Sequence, residues 1–241
     1  MIRLFYGPSP NANKVLIFLE EVDMKFEIVP VDILAGDQFS PEFLAISPNN
    51  RIPAIIDTDP ADGNAELPMF ESGAILLYLA DKADRFTPRE PRARAEMMQW
   101  LFWQVSGLGP MAGQNHYFNR FALEKAPLAI ERYLKETARL YHVLDTRLAD
   151  RRHVAGDDYG LADMACHPWI KLHKLQSQDL ADYPNLRRWY EEVLQRPAVG
   201  RAYARDRQMR AARQAGNEER SLFFHTTRSE YQAAVRREAD Q

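Results

Sequence analysis

The 241-residue chain contains one cysteine, Cys166. A single thiol excludes an internal disulfide framework, a C-x-x-C redox pair and a cysteine-rich zinc site. No charge of one sign dominates either. The 31 basic and 34 acidic side chains leave a formal charge of −3, so no overall field gathers nucleic acid. Long apolar runs are also missing, and with them any segment that would cross a bilayer. Met1-Ile2-Arg3-Leu4-Phe5-Tyr6 is cut off by Gly7-Pro8 and lacks a signal peptide's length and charged start. The expectation is a soluble, cytoplasmic protein that binds neither membrane nor nucleic acid. With 46% hydrophobic and 27% charged residues, the composition is that of an ordinary globular chain, long enough for two domains.

The pattern of elements changes partway along. Residues 2–6 read as a strand, Gly7-Pro8-Ser9-Pro10-Asn11 as a loop, and Lys14 to Glu21 as a helix by apolar spacing. Phe26 to Val31 alternates like a second strand, and a short helix is predicted around Pro41 to Leu44. A third strand from Pro53, a turn at residues 59–63, a short strand near Pro68 and a helix from Ser72 complete the order β-α-β-α-β-β-α, which implies a mixed sheet with helices against it. Beyond the proline-punctuated residues 83–92, helical patterns cover Ala93 to Gly107, Ala126 to Leu148, a segment from Leu161, and Leu186 to Leu194. The reading is one domain over 1–82, a linker over 83–92, an all-helical domain over 93–205 and a C-terminal extension over 206–241. Residues 201–213 carry five arginines and one aspartate, read as a solvated helix face. Leu222-Phe223-Phe224 and Tyr231 suggest that the tail folds back onto the body.

Two motifs point to a ligand. In Ser47-Pro48-Asn49-Asn50-Arg51-Ile52-Pro53-Ala54-Ile55-Ile56 the proline keeps the start of an apolar strand out of the ladder. A cis Ile52–Pro53 bond would turn the Ile52 N–H and C=O outward, where an extended peptide can pair with them. Glu71-Ser72 opens a helix, whose free N–H groups and positive dipole end suit a carboxylate. A backbone edge beside a carboxylate pocket suits a small, acidic, peptide-like ligand.

These motifs resemble the thioredoxin-like half of a glutathione transferase. Closer resemblance, over roughly residues 1–205, is carried by Pro8-Ser9-Pro10-Asn11, Gln38-Phe39-Ser40-Pro41-Glu42-Phe43-Leu44, the Ser47–Ile55 run, Gln99-Trp100-Leu101-Phe102-Trp103-Gln104-Val105, Gly107-Leu108-Gly109-Pro110-Met111 and Gln114-Asn115-His116. They are similar to the bacterial nu class of glutathione-dependent disulfide-bond reductases, relatives of the yeast prion-type nitrogen regulator. The resemblance implies an α/β thioredoxin-like N-terminal domain followed by an all-α C-terminal domain, a homodimer, and glutathione as co-substrate. It also implies that Ile52, with Arg51 and Pro53 beside it, pairs with the cysteinyl part. Glu71 and Ser72 would hold the γ-glutamyl end, and Gln38 would lie towards the glycyl end. Ser9 and Asn11 would sit at the sulfur, and Arg132 would reach in from the helical domain. Gly160-Leu161-Ala162-Asp163 departs from the family's capping box by lacking the hydroxyl.

Ser9 and Asn11 can hydrogen-bond a thiolate and lower its pKa, which makes glutathione nucleophilic near neutral pH. Tyr6 competes for that role, but its alternation with Ile2 and Leu4 turns it towards the core. Trp100 reads as core, whereas Trp103 and the Gly107-Leu108-Gly109 break read as pocket. His116 reads as a polar cleft residue without a metal-ligand partner. Cys166 reads as a small buried hydrophobe, so every reacting sulfur must come from glutathione and the substrate. Three functions remain open at this point: a glutathione-dependent disulfide oxidoreductase, a transferase that conjugates electrophiles, and a non-enzymatic glutathione-binding regulator.

Overall fold

The computed structural model describes residues 1–214. Strands β1 (Ile2–Tyr6), β2 (Phe26–Pro30), β3 (Ala54–Asp57) and β4 (Leu67–Phe70) form one mixed sheet in the order β2-β1-β3-β4. β1 runs parallel to β2 and antiparallel to β3, with Leu4 opposite both Ile28 and Ile55. Helices α1 (Pro10–Glu21), α2 (Pro41–Ile46) and α3 (Ser72–Ala83) belong to this half. The second half is helical: α4 (Pro91–Trp103), α5 (Gly109–His116), α6 (Pro127–Arg147), α7 (Leu161–Ile170), α8 (Pro184–Leu194) and α9 (Pro197–Gln214). One π-helical turn joins α4 to α5 over Gln104–Leu108, and a second, Tyr117–Phe121, follows α5. The expected pairing of a mixed-sheet unit with an all-α unit is what the chain forms. Among the described residues no helix is long and apolar enough to cross a membrane. The tail residues Leu222, Phe223, Phe224 and Tyr231 lie outside the described residues.

Two local expectations are corrected. The stretch read as a loop up to Asn11 is already helix from Pro10. Proline at the first helical position has the right φ and lacks an N–H that would go unpaired anyway. The segment read as continuous from Ala93 to Gly107 breaks into a π turn at Gln104, where a one-residue widening re-aims the side chains.

Helix α1 lies at the centre. It is apolar on all sides over Val15-Leu16-Ile17-Phe18-Leu19, the pattern of a helix covered all round. It packs against α3, α7 and α9 and shares one apolar cluster with Ile2, Leu4 and Ile55 of the sheet. A continuous apolar cluster accordingly runs from Ile2 and Leu4 through α1 into Leu144, Leu161 and Trp189 of the helical half. α7 is buried over its whole length, and its start is held by Asp163, which accepts from the Gly160 N–H at 2.9 Å, the Val154 N–H at 3.0 Å and the Trp189 indole at 2.6 Å. Gly160 has no side chain to reciprocate, so only the acidic half of the capping box operates.

α9 is pinned to this core by charge and hydrogen bonds. The arginines read as a solvated face are exposed where described, and two of them also reach α1: Arg201 and Arg205 both pair with Glu20, at 2.6 and 2.7 Å, while Arg196, just before α9, pairs with Glu21 at 2.6 Å. The helix continues past residue 205, and the buried Asp206 receives the Tyr6 hydroxyl at 2.7 Å and the Asn13 amide at 3.1 Å, with Arg210 behind it at 2.7 Å. From α7, His167 meets the Tyr203 hydroxyl at 2.7 Å. Burial and the Asp206 carboxylate push the Tyr6 hydroxyl far above its ordinary pKa, so it stays protonated as the donor.

Tyr6→Phe is therefore expected to lose stability, by about 1.5–3 kcal/mol for a hydrogen bond to a charged group. In a chain of this size that lowers the melting temperature by roughly 2–4 °C per kcal/mol, measurable by calorimetry.

Candidate functional site

A cleft of about 660 Å³ opens where the start of α1, the approach to β3 and the start of α3 meet the π turn, α5 and α7. Ser9, Asn11, Gln38, Arg51, Ile52, Glu71 and Ser72 all line it. A contiguous recess of about 250 Å³ shares Asn11, Arg51, Ile52, Glu71 and Ser72 and adds Pro53. Seven of the site residues expected from sequence thus share one cleft, and Pro53 borders the adjoining recess. Arg132 is not among them. It lies exposed on α6, in a separate surface groove beside Glu131 and Glu136.

The Ile52–Pro53 bond is cis, and β3 begins only at Ala54. Among the described residues, nothing hydrogen-bonds the Ile52 N–H or C=O, which leaves an open backbone edge on the cleft. Glu71 has φ of +70°, a left-handed conformation that a non-glycine residue holds only when its surroundings impose it. It immediately precedes α3, and its exposed carboxylate is not spent on capping that helix. Ser72, 7% exposed, opens the helix.

Ser9 caps α1. Its Oγ accepts from the Ala12 N–H at 3.1 Å, which uses a lone pair and leaves the hydroxyl hydrogen free for the cleft. The Trp169 indole donates to Asn11 Oδ1 at 3.0 Å. An indole nitrogen only donates, so the amide oxygen must face it and the Asn11 NH2 is left as a donor on the cleft side. Gln38 has the opposite polarity: its Nε2 donates to the Ile33 carbonyl at 3.2 Å, and its buried Oε1 has no partner among the described residues. The cleft therefore offers donors at the start of α1 and an acceptor at Gln38.

Among the lining residues outside the expected set, Lys14, Gln104 and Trp169 carry polar contacts. Lys14, 1% exposed, donates from Nζ to Ser72 Oγ at 3.3 Å and to Gln104 Oε1. Burial pushes this amine down to about 7, against the opposing pull of Glu71. A lysine just before the apolar run 15–19 was the available signal for a buried cation. Nothing local marks Trp169, which meets Asn11 across 158 residues of chain.

Other expectations need correction. Trp103 does not line the cleft. It packs edge-on against Trp100, with ring centroids 5.2 Å apart, because the π turn begins one residue later and carries Gln104 and Val105 inward instead. His116 packs at a tilt against Phe121 outside the cleft, and burial lowers its pKa. Cys166, by contrast, is fully buried as expected, and burial raises its thiol well above the ordinary range.

An open strand-end edge and a helix start facing a helical unit define the class as a two-unit thioredoxin-like protein. Family models described as the glutathione S-transferase N-terminal domain and C-terminal domain match residues 1–81 and 111–197. The chain belongs to the glutathione S-transferase family. It is 54% identical over 202 residues to the disulfide-bond oxidoreductase YfcG of Escherichia coli, covering 84% of this chain and 94% of that one. To YghU of the same organism, also a disulfide-bond oxidoreductase, it is 39% identical over 214 residues, with 83% and 73% covered. A solved glutathione transferase family member from Pseudomonas fluorescens, with two glutathiones bound, superposes with a TM-score of 0.79 at 41% identity, covering 83% and 91% of the two chains.

The close approach of Gly109 to the cleft floor is testable. A Cβ there would lie 2.9 Å from Gln104 Nε2 and 3.3 Å from both the Gln104 carbonyl oxygen and Trp169 Cε2, whereas at Gly200 it would meet nothing within 4 Å. Gly109→Ala is expected to destabilise by about 1–3 kcal/mol through overpacking, while Gly200→Ala leaves the urea midpoint unchanged or raises it.

Proposed function

We propose that this protein is a glutathione-dependent disulfide oxidoreductase in which glutathione, not the protein, supplies the reacting thiol. The observation that carries the reading is the Asn11 amide, held by Trp169 with its donor face towards the cleft, beside the free hydroxyl hydrogen of Ser9. Two donors converging at a helix start are suited to hold a thiolate. Ile52 pairs its open backbone with the cysteinyl residue, flanked by Arg51 and Pro53. Ser72 and the N–H groups of α3 take the γ-glutamyl carboxylate, Glu71 takes its ammonium, and Gln38 receives an N–H towards the glycyl end.

The bound thiolate attacks one sulfur of a substrate disulfide, forming a mixed disulfide. The displaced thiolate leaves and takes up a proton. A second glutathione then attacks the mixed disulfide, releasing the second substrate thiol and oxidised glutathione. The sum consumes two glutathiones and one disulfide and yields two thiols and one oxidised glutathione. YfcG and YghU carry the same activity in their names, and solved relatives hold glutathione or its disulfide.

On this reading residues 1–82 bind glutathione, 83–92 link, and the helical domain begins at 93 and takes in α9, which runs on past 205 to Gln214. The chain works as a homodimer. Exposed apolar residues on the edge strand β4, Leu67 and Phe70, and the polar face of α4 around residues 92–96 support such pairing. Arg132, exposed on α6, belongs to the ligand-binding set in that assembly. A lone free cysteine fits work in the reducing cytoplasm.

The test is steady-state turnover with a small disulfide and, in parallel, with a chlorodinitrobenzene-type electrophile. Asn11→Ala and Ser9→Ala are each expected to raise the disulfide-reduction barrier by about 1–3 kcal/mol, the contribution of a donor to a developing charge. Wild-type turnover confined to the electrophile, or near wild-type reduction by both variants with loss in Tyr6→Phe, would contradict the proposal.

A further inference from the structure

Among the described residues Lys14 stands out as a buried cation without a counter-ion. Its Nζ, on a side chain 1% exposed, touches only the neutral Ser72 Oγ and Gln104 Oε1, and no carboxylate lies within ion-pair distance. The contrast lies on the same helix. Glu20, also buried, is met by two arginines. A buried charge persists when it is paired, and an unpaired amine sheds its proton. Lys14 also faces a ligand site from beneath. The serine oxygen to which it donates is the one at the start of α3, and both residues line the cleft. An anion seated on Ser72 is therefore the nearest position from which the missing negative charge can come.

We propose that Lys14 is the latent counter-ion of the cleft, neutral when the site is empty and protonated when a carboxylate-bearing ligand binds at Ser72. The inference rests on the glutathione reading and adds a charge-state change to it. Because Lys14 donates to Ser72 Oγ, the serine hydroxyl hydrogen turns outward to the ligand carboxylate, so the two groups address one anion in series. The groups facing the amine are few. Glu71 at the start of α3 acts on it electrostatically, whereas the Cys166 thiol on α7 and Gln104 from the π turn are neutral. Asp163 on α7 is occupied by Gly160, Val154 and Trp189, and Asp206 on α9 by Tyr6, Asn13 and Arg210. With Cys166 held protonated by burial, Glu71 is the one of these that carries a free negative charge, and it is exposed.

The sign follows from the amine's position near 7 in the empty site, below the 10.5 of a free lysine. Above that pH the empty site is neutral and binding draws in a proton, so affinity falls as pH rises. Below it the amine is charged before and after binding, and affinity is flat. The probe is S-methylglutathione, which has the carboxylates but no thiol to titrate. Calorimetry at pH 8 in two buffers of different ionisation enthalpy is expected to show uptake approaching one proton per site in the wild-type protein, with affinity about three- to tenfold weaker at pH 8 than at pH 7. Lys14→Met, which cannot protonate, and Lys14→Arg, which never loses its proton, are both expected to bind without uptake and with pH-independent affinity. The arginine variant also serves should the methionine variant fail to fold. Wild-type binding without proton exchange, or uptake that survives in either folded variant, overturns the proposal while leaving the glutathione site intact. Failure of the wild-type protein to bind S-methylglutathione at any pH removes the glutathione reading and this inference together.

Discussion

Ala12 to Glu20 of α1 are buried without interruption, and the geometry of the molecule follows from that enclosure. A helix that packs against α3, α7 and α9 and shares an apolar cluster with the sheet cannot shift along its axis without breaking packing in both halves. Its two ends are thereby fixed. At the start, Ser9 and Asn11 are presented to the cleft, and Lys14 is held just below them. At the end, Glu20 and Glu21 receive three arginines from α9 and the turn before it. Ligand cleft and inter-helix clamp are two consequences of one buried helix.

Polar groups inside this enclosure are divided between those that are satisfied and those that are not. Asp163, Asp206 and Glu20 each have two or more partners and serve the fold. Gln38 Oε1 and Gln104 Nε2 are buried without partners among the described residues, and Lys14 has neutral ones. All three of these residues line the cleft. Three other buried atoms lack hydrogen-bond partners among the described residues, Thr87 Oγ1, His153 Nδ1 and Tyr159 Oη, and lie away from the cleft; Gln38 Oε1 and Gln104 Nε2 are the two that a ligand in the cleft can reach.

The parts legible in the sequence were those governed by local rules. Alternation gave Ile2, Leu4 and Tyr6 facing the core, and Ile52-Pro53 marked a strand that starts late. Glu71-Ser72 marked a helix start at an anion site. The misread parts depended on contacts between distant segments. One difference is local: Ser9 lies outside the helix as its cap, whereas Asn11 is already helical behind Pro10 at the first helical position. Trp169 orients Asn11 only once α7 packs on α1. Arg201 and Arg205 do lie on an exposed face, but nothing local shows that Glu20, some 180 residues earlier, comes to meet them. The π turn puts Gln104 and not Trp103 on the cleft, because a one-residue widening leaves no trace in apolar spacing.

The central claim is that reacting sulfur enters with the ligand and that the protein's own thiol takes no part. Cys166 is fully buried on α7 with its thiol held protonated, the opposite of an activated cysteine. The most direct measurement is disulfide-reductase turnover of folded Cys166→Ala, combined with mass spectrometry of the wild-type protein trapped during turnover. The account predicts turnover within a few-fold of wild type and no glutathione adduct on the protein. Loss of turnover in the folded variant, together with a stoichiometric adduct on Cys166, would contradict it.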